Sequence, residues 1–377
     1  MTTSIKAIIA VYVLLIMPAA SSASEMSELE TAVKTPALST LDAHDIGLWA
    51  RFHFALHTSD FKKTREFYRT LGFTKGLGGF PLNNNHAVAR ALGMNDICGY
   101  ELAEGEVLLF PGAINTTGID LLQFIEPHNP APPYDSLNHL GMAYATLLTR
   151  DLTETYNMLR ASGVEFLTEP FGVHGNRFVF MRDPEGVFLK LEEQALPQPI
   201  DNGTTGIVAM PYVGINVSDL EASLKFYALF GYTEVRPINE QELGHEEAKA
   251  WGFDRPVRYR GADIAIRRGD KHRLRLLQWI DPFNKEAAYP PPINHKGINR
   301  LALTVPDVER AVAILKKQGV PFLSEVAPCC SASPDDDTGI VHAIDPDGVF
   351  LELVGHIEPR PLAPQPPECP ELKLRYQ

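Results

Sequence analysis

The sequence predicts an α+β fold in which four β-α-β-β-β units form two tandem modules, and three observations carry that reading. A tight turn feeding a strand occurs twice in near copy, as Asp183-Pro-Glu-Gly-Val-Phe-Leu-Lys190 and Asp345-Pro-Asp-Gly-Val-Phe-Leu-Glu352. Pro fixes φ and Gly supplies the positive φ at the exit, so the alternating apolar run that follows reads as a strand. A strand closing on Ser-Asp, a run of helix-spaced apolar residues and a stopping Gly span Ser59 to Gly72 and return from Ser218 to Gly231. A weaker copy lies in each half, from Tyr144 through Asp151 to Gly163 and from Arg300 through Asp307 to Gly319. Repetition at two levels gives four units.

Taken in order, the chain opens with Lys6, an uncharged apolar run from Ala7 to Ala20 and small residues through Ser24, the layout of a secretory signal peptide with cleavage near Ala23. The run is shorter than the roughly 20 residues needed to span a bilayer, so the expected location is secreted or periplasmic with no stable membrane insertion after cleavage, an uncleaved membrane anchor being the lesser alternative. Residues 25–48 are a polar lead-in. The first module spans 50–195. Phe61, Thr64, Phe67, Tyr68 and Leu71 fall at helical spacing, and Val107 to Pro111, Ile119 to Ile125 and Arg177 to Arg182 have strand length. Residues 196–206 form the linker. In the second module, 207–356, Leu220, Leu224, Phe226, Tyr227 and Phe230 give the helix, and Ile264 to Arg268, Arg273 to Ile280 and Gly339 to Ile344 the strands. Six prolines after Ile357 make 357–377 an extended tail.

Bulk properties narrow the function classes. The chain has 377 residues, 45% of them hydrophobic, and a formal net charge of −13 without a basic block. That fits a globular protein with a small-molecule partner and gives no support for nucleic-acid binding. Four cysteines, Cys98, Cys329, Cys330 and Cys369, lack zinc-ligand spacing. A bond from Cys369 to Cys329 or Cys330 would pin the tail. The sequons at Asn115, Asn202 and Asn216 matter only in a eukaryotic host, and Asn216 falls inside a predicted strand. His139 and His295, each in Asn-His-x-Gly before a strand, read as structural.

The strand-Ser-Asp-helix-Phe-Tyr-x-x-x-Gly pattern and the two Asp-Pro-Asp/Glu-Gly hairpins resemble the vicinal oxygen chelate superfamily. That group includes glyoxalase I, extradiol dioxygenases and bleomycin-resistance proteins. The resemblance covers about residues 50–195 and 207–356. It implies sheets curled around a cavity, and a divalent metal (nickel, zinc, iron or manganese) held by side chains from the first and last strands of the units. The corresponding positions are His53 and Gln123, Tyr144 and Lys190, Tyr212 and Gln278, and Arg300 and Glu352.

If each half builds its own site, Lys190 or Arg300 faces every ligand set. If the halves exchange units, one site gathers His53, Gln123, Arg300 and Glu352, the other Tyr144, Lys190, Tyr212 and Gln278. The exchanged arrangement makes His53, Gln123 and Glu352 the metal ligands. Glu352 is then also a candidate proton-transfer base, and Arg300 a partner for Glu352 or for a substrate anion. Two classes of function follow from the resemblance. One is a glyoxalase-like lyase, isomerase or dioxygenase acting on a small oxygen-bearing molecule with a degenerate metal site; the other is a bleomycin-resistance-like binding protein without chemistry. An extradiol dioxygenase would want His, His and Glu where Tyr212, Arg300 and Glu352 stand.

Overall fold

The computed structural model describes residues 37–77, 81–110, 117–194, 206–266, 269–329, 337–360 and 364–376. The expected signal peptide, nearly all of the linker, and Asn115, Asn202 and Cys330 lie outside them. The first unit consists of β1 (Ala50–His57), α1 (Phe61–Thr70), β2 (Lys75–Leu77), β3 (Asn83–Asn85), α2 (His86–Ala91), β4 (Gly99–Leu109) and β5 (Gly118–Glu126). The second has β6 (Gly141–Thr149), α3 (Leu152–Ala161), β7 (Phe171–Val173), β8 (Asn176–Arg182) and β9 (Phe188–Glu193). The third has β10 (Ile207–Asn216), α4 (Leu220–Leu229), β11 (Glu234–Leu243), α5 (His245–Ala250), β12 (Val257–Ile266) and β13 (Gly269–Asp281). The fourth has β14 (Gly297–Val305), α6 (Val308–Lys317), β15 (Ala327–Pro328), β16 (Thr338–Ile344) and β17 (Phe350–His356). Among the described residues no helix is long and apolar enough to cross a membrane.

Each unit's main helix starts and stops for the same chemical reason. Asp60, Asp151, Asp219 and Asp307 each accept a hydrogen bond from the backbone N–H three residues on, satisfying a donor the helix cannot. Gly72, Gly163, Gly231 and Gly319 follow the last turn with φ of 105, 87, 102 and 83°, where a side chain is disfavoured.

The units exchange partners between the halves. One sheet runs β15-β16-β17-β14-β1-β5-β4-β2, with β3 also on β4, and the other runs β11-β12-β13-β10-β6-β9-β8-β7. The first sheet therefore joins units one and four across an antiparallel β1–β14 seam, with Ala55 opposite Arg300. The second joins units two and three across β10–β6, with Gly214 opposite Tyr144. Alternation sends Phe54, Leu56, Ile119, Leu121, Leu301, Leu303, Leu351 and Leu353 into the main core with the helices. The opposite face of each sheet forms the inside of a cup.

The hairpin aspartates tie the units of each half together. Asp183 accepts from the N–H groups of Glu185 and Val187 and from the Tyr68 hydroxyl at 3.0 Å. Asp345 does the same with Asp347, Val349 and the Tyr227 hydroxyl. Burial outweighs these donors, pushing Asp183 up to about 6 and Asp345 up to about 7.

The tail corrects the expected disulfide. Cys369 is bonded to Cys98 rather than to Cys329 or Cys330, because the tail runs back along the β3–β4 region. Gln365 accepts from the His86 N–H and donates to the Cys98 carbonyl. Arg375 and Leu82 pair through their backbones, and Asn83 bonds Lys373 and Arg375. Asn216 is buried, donating to the carbonyls of Leu137 and His139, and His139 and His295 each bond the carbonyl of the next residue.

Candidate functional site

In the first cup, four charged or ionisable side chains meet at the seam between the halves. His53 comes from β1, Asp120 from β5, Arg300 from β14 and Glu352 from β17, and all four are buried. Arg300 donates from Nη2 to Asp120 Oδ2 at 2.6 Å and from Nε to Glu352 Oε2 at 3.0 Å. His53 Nε2 lies 3.7 Å from that Asp120 oxygen and 3.5 Å from that Glu352 oxygen. His342, the cross-strand partner of Glu352, brings Nε2 to 3.9 Å from Oε1. Burial alone would raise the Glu352 carboxyl, but the Arg300 guanidinium and then His53 hold it well below the usual carboxylate range. Burial pushes the His342 imidazole down to about 4.

His53, Arg300 and Glu352 therefore converge as the exchanged arrangement requires. Gln123 does not. Its side chain points to the helix face, accepting from the Phe61 N–H and donating to the Ser59 carbonyl. Side chains alternate along a strand, so an odd separation puts residues on opposite faces. With Ile119 and Leu121 in the main core, Asp120 faces the cup and Gln123 cannot. Asp120 is the residue the sequence reading missed, and the same parity marks it: an acid between two core-facing residues of an apolar strand.

The second cup holds a different set. Gln278, like Gln123, faces the helix side, donating to the Ser218 carbonyl and accepting from Arg260. Arg275 takes the place of Asp120, pairs with both oxygens of Asp263 at 2.7 and 2.9 Å, and lies over the Tyr212 ring. Lys190 donates to Glu192 at 2.9 Å and sits over the Phe178 and Trp251 rings, while the Tyr212 hydroxyl donates to the same carboxylate. Burial lowers Lys190, with Glu192 opposing; Glu192 itself lies below the usual range because Lys190 and Arg275 outweigh its burial. The Tyr144 ring packs against Gly214, where an added Cβ would lie 2.3 Å from a ring carbon.

Above this floor is a cavity of about 520 Å³ whose lining includes Phe171, Phe178, Trp251 and Tyr259, with Lys190, Glu192 and Arg275 exposed to it. Aromatic walls with a few convergent polar groups are the usual make-up of a small-molecule pocket.

The residues present do not fit a chelated divalent metal in either cup. In the first, the two carboxylate oxygens nearest His53 already face a guanidinium, which has no lone pair and repels a second cation. In the second, the positions hold two phenols, an ammonium and a guanidinium. Among the described residues no group of three or more His, Cys, Asp or Glu side chains is arranged to hold an ion.

A family model described as the Glyoxalase/Bleomycin resistance protein/Dioxygenase superfamily matches residues 51–191 and again 209–353. Among solved structures, glyoxalase I from Zea mays is 17% identical, with a TM-score of 0.50 over 81% of this chain and 92% of that one. A point variant of that Zea mays enzyme is 18% identical, with a TM-score of 0.52 over 81% and 93%. At this identity the likeness concerns the fold alone. No curated protein matches the sequence.

Proposed function

The chain belongs to the glyoxalase/bleomycin resistance protein/dioxygenase superfamily, and from that premise we propose that it is a small-molecule binding protein working without a chelated metal, with its ligand in the second cup. The cavity with four aromatic side chains in its wall is the observation that carries this reading. Its two floor cations are matched inside the protein, Lys190 by Glu192 and Arg275 by Asp263, so the cavity does not call for a charged partner. Lys190 makes one hydrogen bond among the described residues and has further N–H donors for an acceptor oxygen. The ligand class is therefore an uncharged, ring-bearing molecule with one or more oxygen acceptors.

Tryptophan fluorescence tests the reading. Catechol or acetophenone should quench Trp251 saturably, cyclohexanol should not, and Lys190→Met should weaken binding about tenfold, the equivalent of one charge-assisted hydrogen bond. Absence of saturable quenching by either aromatic probe, in a protein shown to be folded, would sink it.

We propose further that the chain is exported. The apolar run Ala7 to Ala20 with its small-residue boundary supports this, as does the Cys98–Cys369 bond, since disulfides persist in oxidising compartments.

A further inference from the structure

Zinc ligands about 2.0–2.2 Å from a shared ion in tetrahedral array stand roughly 3.3–3.6 Å from one another. His53 Nε2 is 3.5 Å from Glu352 Oε2 and 3.7 Å from Asp120 Oδ2, so the imidazole nitrogen stands at nearly that spacing from both carboxylate oxygens. The same two oxygens are the ones that accept from Arg300. One nitrogen and two carboxylate oxygens are a donor set that suits zinc, cobalt, nickel or iron. The guanidinium facing both of these oxygens makes the set unfit. The second cup offers a contrast within the same chain, because its corresponding side chains are cations and phenols, and no single replacement there would leave three donors.

We propose that Arg300 is a built-in cation standing where a divalent ion would otherwise sit in the first cup, and that a neutral or imidazole side chain in its place converts His53, Asp120 and Glu352 into a metal site. The guanidinium supplies one positive charge to two carboxylates through directed hydrogen bonds from two nitrogens. A divalent ion would supply two charges at one point. His342 lies beside the far oxygen of Glu352, and Asn299 accepts from Arg300 Nη1. This inference concerns the first cup and stands apart from ligand binding in the second.

The test uses cobalt(II), whose visible d–d absorption reports coordination, with elemental analysis for stoichiometry. Wild-type protein, Arg300→His and Arg300→Gln are each incubated with cobalt chloride, desalted and measured. The expected result is no retained cobalt in the wild type, one ion per chain with a d–d band in Arg300→His, and loss of both when His53→Ala is added. A rise in unfolding temperature on adding cobalt should accompany binding in the variant and be absent from the wild type. Arg300→Gln, which keeps a side chain of similar reach without the charge, provides a second reading if Arg300→His does not fold. Stoichiometric cobalt bound through His53 in the wild type would overturn the proposal, and so would folded replacements that take up none.

Discussion

Replacing Arg300 by Met removes the charge while keeping a long apolar side chain, and the structure sets the size of the effect. Two hydrogen bonds to charged partners disappear, and Asp120 and Glu352 remain buried without the cation that faces them. Removing one partner of a buried ion pair costs about 3–5 kcal/mol, whereas an exposed pair costs about 0–1. Urea unfolding at pH 7 should therefore show a loss of about 3–5 kcal/mol relative to wild type. The loss should also depend on pH in a definite direction. In the wild type Glu352 lies below its unfolded value, so its contribution is present above the unfolded pKa and fades as pH falls through the folded one. Without Arg300, desolvation raises the carboxyl and protonation relieves the buried charge. The difference between the two proteins should thus be greatest near pH 7 and shrink toward pH 4. A loss below about 1 kcal/mol at pH 7, or one that does not change with pH, would refute the reasoning.

Desolvation pushes His57, His295 and His342 down to about 4. Lowered histidines add stability above the unfolded value of about 6.5, and it is lost as pH falls toward 4; Asp183 and Asp345, being raised, add stability at low pH that is lost as pH rises toward 6 or 7. The three histidines, joined by the lowered carboxylates Glu192 and Glu352, outweigh the two raised aspartates, so unfolding takes up protons and urea midpoints should drop as pH falls from 6 to 4; a rise over that window would contradict the assignment. Export predicts a mature chain beginning after Ala23 with Cys98 and Cys369 bonded. N-terminal sequencing and thiol titration in denaturant read both, and a retained Met1 or a titratable Cys98 counts against it.

Most of the fold was legible because its signals are local. An aspartate that caps, a glycine that stops a helix and a Pro-x-Gly turn act within a few residues, so four copies can be read without knowing what they touch. The site was legible in part. His53, Arg300 and Glu352 could be placed by position within the repeat, and they meet. The family's ligand positions put Gln123 and Gln278 inward, yet both turn to the helices. Repetition marks equivalence, not the face of the strand, and the parity of Ile119 and Leu121 decides that. The partner of Cys369 and the aromatic wall with Trp251 depend on segments far apart in sequence, for which no local pattern exists.

By itself the sequence determined the repeat, the caps and stops of the four main helices and the loss of clean ligand sets, since these follow from residue types and short-range backbone chemistry. Only the tertiary structure decided that unit one pairs with unit four, that Asp120 and Glu352 share one guanidinium, and that the second cup contains a cavity. Those outcomes depend on strand register and packing across the seam, where one residue of shift exchanges an inward side chain for an outward one.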